Sequence, residues 1–247
     1  ALSEGSATVI ETGALCGIEL HEPGALTLVA RAGTPLCEVE AQLAREGQRL
    51  AFEPPDLGGL LGRDGHSTIG GVVAANASGP RRVQSGACRD SLLGVRFVDG
   101  TGMVVRNGGR VMKNVTGYDL ARLVAGACGS LGVLTEVALK VLPAPETAAT
   151  LVIAGHDARA AVAAMSRALG SPYEVTGAAH VPGEGTFLRV EGFADSVAYR
   201  AGRLQAMLGG EIEAGDARWA GIRDVTPFHA APGDVWRVST IPSDAPD

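Results

Sequence analysis

The sequence predicts an α+β protein in two parts, and three observations carry that expectation. Val133 to Val141 alternate with a period of two, Leu36, Val39 and Leu43 share one helical face, and strand-like and helix-like runs follow Pro143-Ala144-Pro145 in the order βαββαβ. An apolar fraction of 46% against 19% charged residues suits a globular chain of 247 residues with a sizeable core.

Taken in order, Leu26 to Ala32 reads as a strand, and Gly33-Thr34-Pro35 offers an N-cap with proline at the first helical position. The helix carrying Leu36, Val39 and Leu43 stops at Gly47, and Arg49 to Phe52 returns as a short strand before Glu53-Pro54-Pro55-Asp56. A loop from Pro54 to Gly65 carries four glycines. Leu93 to Val98 and Met103 to Arg106 bracket Asp99-Gly100-Thr101-Gly102, the pattern of a hairpin. Thr116-Gly117-Tyr118-Asp119 resembles a capping box with a shortened acid, ahead of a stripe of Leu120, Leu123 and Val124 that ends near Gly126.

The strand from Val133 closes the first part, and the two prolines near residue 145 mark a boundary between 1–145 and 146–247. Strands at Thr150 to Ala154, Glu174 to Val181, Thr186 to Phe193 and Glu211 to Glu213, with helices at Ala158 to Leu169 and Ser196 to Leu208, spell a ferredoxin-like half-unit.

Composition narrows the partners. A net charge of −6 and 4% aromatics give neither the field nor the stacking platforms that nucleic acid requires. Cys16, Cys37, Cys88 and Cys128 lie far apart with no C-x-x-C pair, which fits a reducing cytoplasm and signals no zinc site or disulfide framework. No apolar run reaches the ~20 residues of a membrane span, and Ala1 to Ser6 lack the features of a signal peptide. Either end of the chain reads as a truncation.

Residues 67 to 79, Ser-Thr-Ile-Gly-Gly-Val-Val-Ala-Ala-Asn-Ala-Ser-Gly, are the most informative stretch. A helix start made of such small residues lets a ligand touch the backbone. Its bare N–H groups and partial positive charge favour an anionic dinucleotide. A plain helix–sheet packing role is the bland alternative for the glycine pair.

Together with Gly86-Ala87-Cys88-Arg89-Asp90, Lys113 to Leu120 and Gly129 to Glu136, this stretch resembles the FAD-linked oxidases of the vanillyl-alcohol oxidase type, which carry a PCMH-type FAD-binding domain. Phe52 to Asp56, the Gly79-Pro80-Arg81-Arg82 run and Val111 to Leu120 are most similar to the E-type FAD-binding subunits of bacterial glycolate oxidases. The likeness runs from about residue 17 to 145 and more weakly beyond. It implies an FAD-binding domain with a mixed sheet and flanking helices, followed by a partial ferredoxin-like cap. The family's usual glycine-rich pyrophosphate loop has no counterpart before Gly13.

By the same resemblance Thr68, Ile69, Gly70 and Gly71 line the pyrophosphate and ribityl chain, with Pro55, Asn76, Gly79 and Arg81 nearby, and Gly86, Gly132, Val133 and Leu134 complete the contacts. It further implies oxidation of a small 2-hydroxy acid, a second flavoprotein subunit and an iron-sulfur subunit as partners, and a cytoplasmic complex peripheral to the inner membrane. A fold that has lost FAD and serves as a non-redox interaction subunit is the rival reading. A stand-alone oxidase or dehydrogenase of another hydroxy acid or alcohol is the third.

No catalytic base is evident from the residues. His66, two positions before Thr68, suits a flavin link or base less well than a bystander role, and His21, His156, His180 and His229 suit surface or capping roles. Arg81 and Arg82 fit an anion or a solvated pair equally well. Arg89-Asp90 reads as a structural ion pair, Tyr118-Asp119 as capping and core packing, and Cys128 lacks a neighbouring base.

Overall fold

The computed structural model describes residues 9–63, 65–109 and 117–246. Two compact units share the chain, Ala1–Glu46, His66–Asn76 and Arg89–Val141 forming the first and Gly47–Gly65, Ala77–Cys88 and Leu142–Asp247 the second. The backbone passes between them five times, the last time after Val141.

The first unit is built on a five-stranded sheet in the order Ile18–Glu22, Thr27–Arg31, Val133–Lys140, Leu92–Val98, Val104–Gly108. The α+β class holds, but the sheet expected as mixed is antiparallel in every ladder. Leu28, Ala30, Val137 and Leu139 are fully buried. The helices Ile69–Ala74 and Leu120–Val124 pack on the Val133–Lys140 and Leu92–Val98 strands respectively.

Helix Leu36–Arg45 buries Leu36, Val39 and Leu43, and Gly47 at φ +61° takes the chain out of it. Its cap differs from expectation. Pro35 holds the N-cap position without a side-chain bond, while the buried Thr34 hydroxyl donates to Arg31 O at 2.7 Å and accepts from Gly17 N. The Leu36 N–H is instead satisfied by Ser67 O at 2.7 Å.

Asp119 caps the helix that follows it, accepting from Arg122 N at 3.1 Å. Thr116, the other half of the expected capping box, lies outside the described residues, as do Lys113, Asn114 and Val115. The stripe on that helix is corrected: Ala121 and Val124 are buried, whereas Leu123 is exposed and Tyr118 is 89% exposed, so Tyr118 packs in no core.

In the second unit four antiparallel strands run in the order Glu211–Ala214, Thr147–Ile153, Gly185–Gly192, Gly177–Val181. With helices Ala158–Leu169 and Ala194–Leu208 they form the expected βαββαβ unit. Leu151, Leu188 and Val190 from the sheet meet Ala164, Ala168, Val197 and Leu204 from the helices in one apolar core. The strand expected from Glu174 begins at Gly177, because Glu174 adopts φ +46° and cannot start a ladder. The strand expected through Phe52 is limited to Gln48–Arg49, paired with Leu142–Pro143, and Glu53 at φ +50° turns the chain away.

Candidate functional site

The first unit contains a cleft of about 230 Å³, lined by Thr68, Gly70, Gly71 and Ala74 of the small-residue helix, by the Gly129 to Leu134 segment, and by Ala32 and Phe97, at the end of one and within the other of the strands on either side of the one that starts at Val133. The register explains the second wall: Leu134 stands opposite Phe97, and Val133 opposite Val98. Gly132, at φ +150°, passes so close to the neighbouring strand that an added Cβ would lie 2.5 Å from Val98 O. Only glycine permits that approach.

The two glycines of the small-residue helix have different tasks. A Cβ on Gly70 would lie 2.6 Å from both Cβ and O of Ala32, so this glycine allows the helix to rest on the strand end. Gly70→Ala is therefore expected to cost about 1–3 kcal/mol of stability, read as a lowered Tm. Gly71 is exposed to the cleft, and a Cβ there would approach only Thr68 Oγ1, at 3.2 Å.

The expected row of bare amides is corrected. The Ile69 N–H donates to Thr34 O at 2.9 Å, the Gly70 N–H to Ala32 O at 2.8 Å, and the Gly71 N–H to Thr68 Oγ1 at 3.2 Å. What the glycine pair gives the cleft is space rather than charge. The walls are accordingly apolar and suit a planar aromatic ring system better than a phosphate. An isoalloxazine fits such walls, and Gly71 supplies a cradle that any larger side chain would fill.

The FAD binding domain family matches residues 1–108. The glycolate oxidase subunit GlcE of Escherichia coli strain K12 is 42% identical over 93% of this chain and 62% of its own length. The first part of the chain is thus similar to FAD binding domains, and most of its length to a glycolate oxidase subunit. Glycolate oxidase subunit GlcD of Bacillus subtilis strain 168 is 39% identical over 47% of this chain and 24% of that protein. Among solved structures, an alkyldihydroxyacetonephosphate synthase superposes with a TM-score of 0.66 at 18% identity, covering 87% of this chain and 45% of the other, a likeness of fold. The chain thus spans about three-fifths of the GlcE relative, and much less of GlcD.

Of the residues expected to contact FAD, Thr68, Gly70, Gly71, Gly132, Val133 and Leu134 come together at the cleft. Ile69 is fully buried in the core behind it. Asn76, at φ +49°, uses its side-chain oxygen to accept from Arg89 N at 3.0 Å, which fixes the turn after the helix. Phe97, Ala32 and Thr12 also line the cleft and escaped the sequence reading. The alternation of Leu93 to Val98 could have indicated Phe97, but its facing Leu134 depends on a register that no local signal encodes.

Pro55, Gly79, Arg81 and Gly86 belong to the second unit. Gly79 is a packing glycine there, since a Cβ would lie 2.1 Å from Glu53 O. Gly86 takes φ +79° to end the Arg82–Ser85 turn of helix, and Pro55 is half-buried in the loop after Glu53. Arg81 is nearly buried, and its guanidinium forks onto Glu191, Nε to Oε2 at 2.9 Å and Nη2 to Oε1 at 2.8 Å. Glu53 in turn accepts two bonds from the fully buried Arg189, at 2.9 and 2.7 Å, and one from Arg81 N at 3.1 Å. The Trp219 ring lies 4.4 Å from the Arg189 guanidinium carbon.

Burial alone would raise the Glu191 carboxyl, but the Arg81 hydrogen bond and the charges of Arg189, Arg81 and Arg49 hold it down at about 2. Because the folded value lies below the ordinary 4.5, the stabilisation is complete above that pH and is lost as pH falls toward 2. Urea unfolding across this window should show stability falling by on the order of 3 kcal/mol in wild type and by less in Glu191→Gln.

The remaining titratable candidates stand apart from the cleft lining. His66 is exposed, His229 Nε2 lies 2.9 Å from Asp224 O, and His156 and His180 both face the Thr186 hydroxyl at 3.2 Å. Cys128 is exposed at φ +50°, its N–H donating to Ala74 O.

Proposed function

We propose that this chain is the FAD-binding subunit of a glycolate oxidase complex, in which a small 2-hydroxy acid is oxidised to the 2-oxo acid and electrons pass through flavin. The observation that carries this reading is the cleft itself: small residues on one wall, a strand start on the other, and no ionisable side chain among the described residues that line it. The chemistry FAD supplies when bound there is reversible acceptance of two electrons.

The chain's own residues bind and shield. Gly71 leaves room in the cleft, Gly132 lets its wall approach the neighbouring strand, and Phe97, Leu131 and Leu134 give it an apolar lining. Removal of the hydroxyl proton needs a base, and none of the described residues lining these walls is one. Such a lining suits a subunit that carries electrons while a second flavoprotein subunit removes the proton and an iron-sulfur subunit receives the electrons. The similarity to GlcE and GlcD supports that assembly. No helix among the described residues is long and apolar enough to cross a membrane, so in this reading any place at the inner membrane comes through the partners.

A denaturing flavin-release assay on the purified protein tests the proposal. One FAD released per chain is the expected result. Protein that shows no flavin absorbance and binds none when FAD is added would instead be a non-redox interaction subunit. Turnover of a 2-hydroxy acid by this chain with no partner present would select a stand-alone dehydrogenase.

A further inference from the structure

The second unit gathers more positive charge around Glu191 than its buried carboxylates neutralise. Arg49 Nη1 and Arg81 Nη2 both donate to Glu191 Oε1, at 2.7 and 2.8 Å, so two guanidinium groups converge on one oxygen. Arg189 spends its fork on Glu53. Arg81 Nη1 also lies 3.3 Å from Glu53 Oε1, so two buried cations and the partly exposed Arg49 share two buried acids. The third acid within reach is Asp216, half exposed and 3.7 Å from Arg81 Nη2, too far for a hydrogen bond.

Arg49 is the under-served member. Its Nε is buried and has no hydrogen-bond partner among the described residues, while 22% of its side chain stays open to solvent. Burial, with the charge of Arg81 added, draws its guanidinium below the usual arginine range. The Nε itself is closed to solvent, so an anion would meet the open part of the Arg49 side chain, whose acid partner Glu191 is shared with Arg81.

We propose that Arg49 and Arg81 form an anion subsite for a small monocarboxylate, whose oxygens bridge the two guanidinium groups in the position that Asp216 occupies only at long range. Paired planar guanidinium groups match a carboxylate in geometry as well as charge. Asp216 then acts as the displaceable counter-ion. The site lies wholly in the second unit and does not depend on the flavin reading.

Isothermal titration of the full-length protein with sodium glycolate, acetate and phosphate at fixed ionic strength tests this directly, since it needs neither turnover nor flavin. Saturable binding of glycolate and acetate is expected. Arg49→Gln should weaken it by about tenfold, equivalent to about 1.4 kcal/mol, Arg49→Lys should restore part of the loss, and Asp216→Asn should tighten binding. Circular dichroism confirms that each variant is folded. No saturable carboxylate binding, tighter binding of phosphate than of carboxylate, or folded Arg49→Gln and Asp216→Asn proteins that titrate like wild type would each overturn the assignment. Loss of flavin from the protein with carboxylate binding intact would count against the proposed function alone.

Discussion

Replacing Gly71 with leucine is expected to abolish most FAD binding while the fold stays intact. Gly71 sits in helix Ile69–Ala74 with only Thr68 Oγ1 near the site of an added Cβ, so the new side chain projects into the cleft rather than into the core. In a helix, exchanging glycine for leucine gains nearly 1 kcal/mol in intrinsic propensity, which offsets the disturbed Thr68 contact. The cleft measures only about 230 Å³, and an isobutyl group removes a large part of it. Flavin affinity should fall by roughly a hundredfold, about 2.7 kcal/mol, with Tm close to wild type. Equilibrium titration with FAD and a thermal melt on the same sample provide the check. Unchanged affinity would mean that flavin lies elsewhere. Gly70→Ala should show the opposite pattern, lowering Tm through its clash with Ala32.

The second large effect concerns Arg189. Its side chain is fully buried, it holds Glu53 by two bonds, and it lies against Trp219. Arg189→Met removes one partner of a buried pair and leaves the Glu53 carboxylate with Arg81 alone, which should cost about 3–5 kcal/mol. Adding Glu53→Gln should recover part of that loss, because the stranded charge goes with it. Urea denaturation of the single and double variants measures both numbers. A single-variant cost under about 1 kcal/mol would show the network to be hydrated and loosely held.

The two parts of the molecule were legible to different degrees. The βαββαβ order was readable because each element there is local: Ala161, Ala164 and Ala168 repeat on one helix face, and the neighbouring strands are apolar runs bounded by glycine. The cleft was half legible. Glycines mark where backbone must come close, yet sequence does not say to what, and Gly70 proved to face Ala32 while Gly71 lines the cleft. The glycine-rich motif also suggested bare amides, but Thr34 O and Ala32 O, some 35 residues upstream, had already taken them. Arg81 was the hardest to read. Its partners Glu53 and Glu191 lie 28 and 110 positions away, and nothing near Gly79-Pro80-Arg81-Arg82 distinguishes an arginine facing a ligand from one facing another strand.

The interleaved course of the chain also dictates a timetable for biosynthesis. Glu53 and Arg81 leave the ribosome 136 and 110 positions ahead of Arg189 and Glu191, the residues that neutralise them. At ordinary elongation rates that is a wait of roughly 5–30 s, during which both early charges stay hydrated and their segments have no sheet to join. The nascent polypeptide is thus exposed to proteases and chaperones until its late strands emerge, and severing it near the paired prolines would strand the early segments permanently.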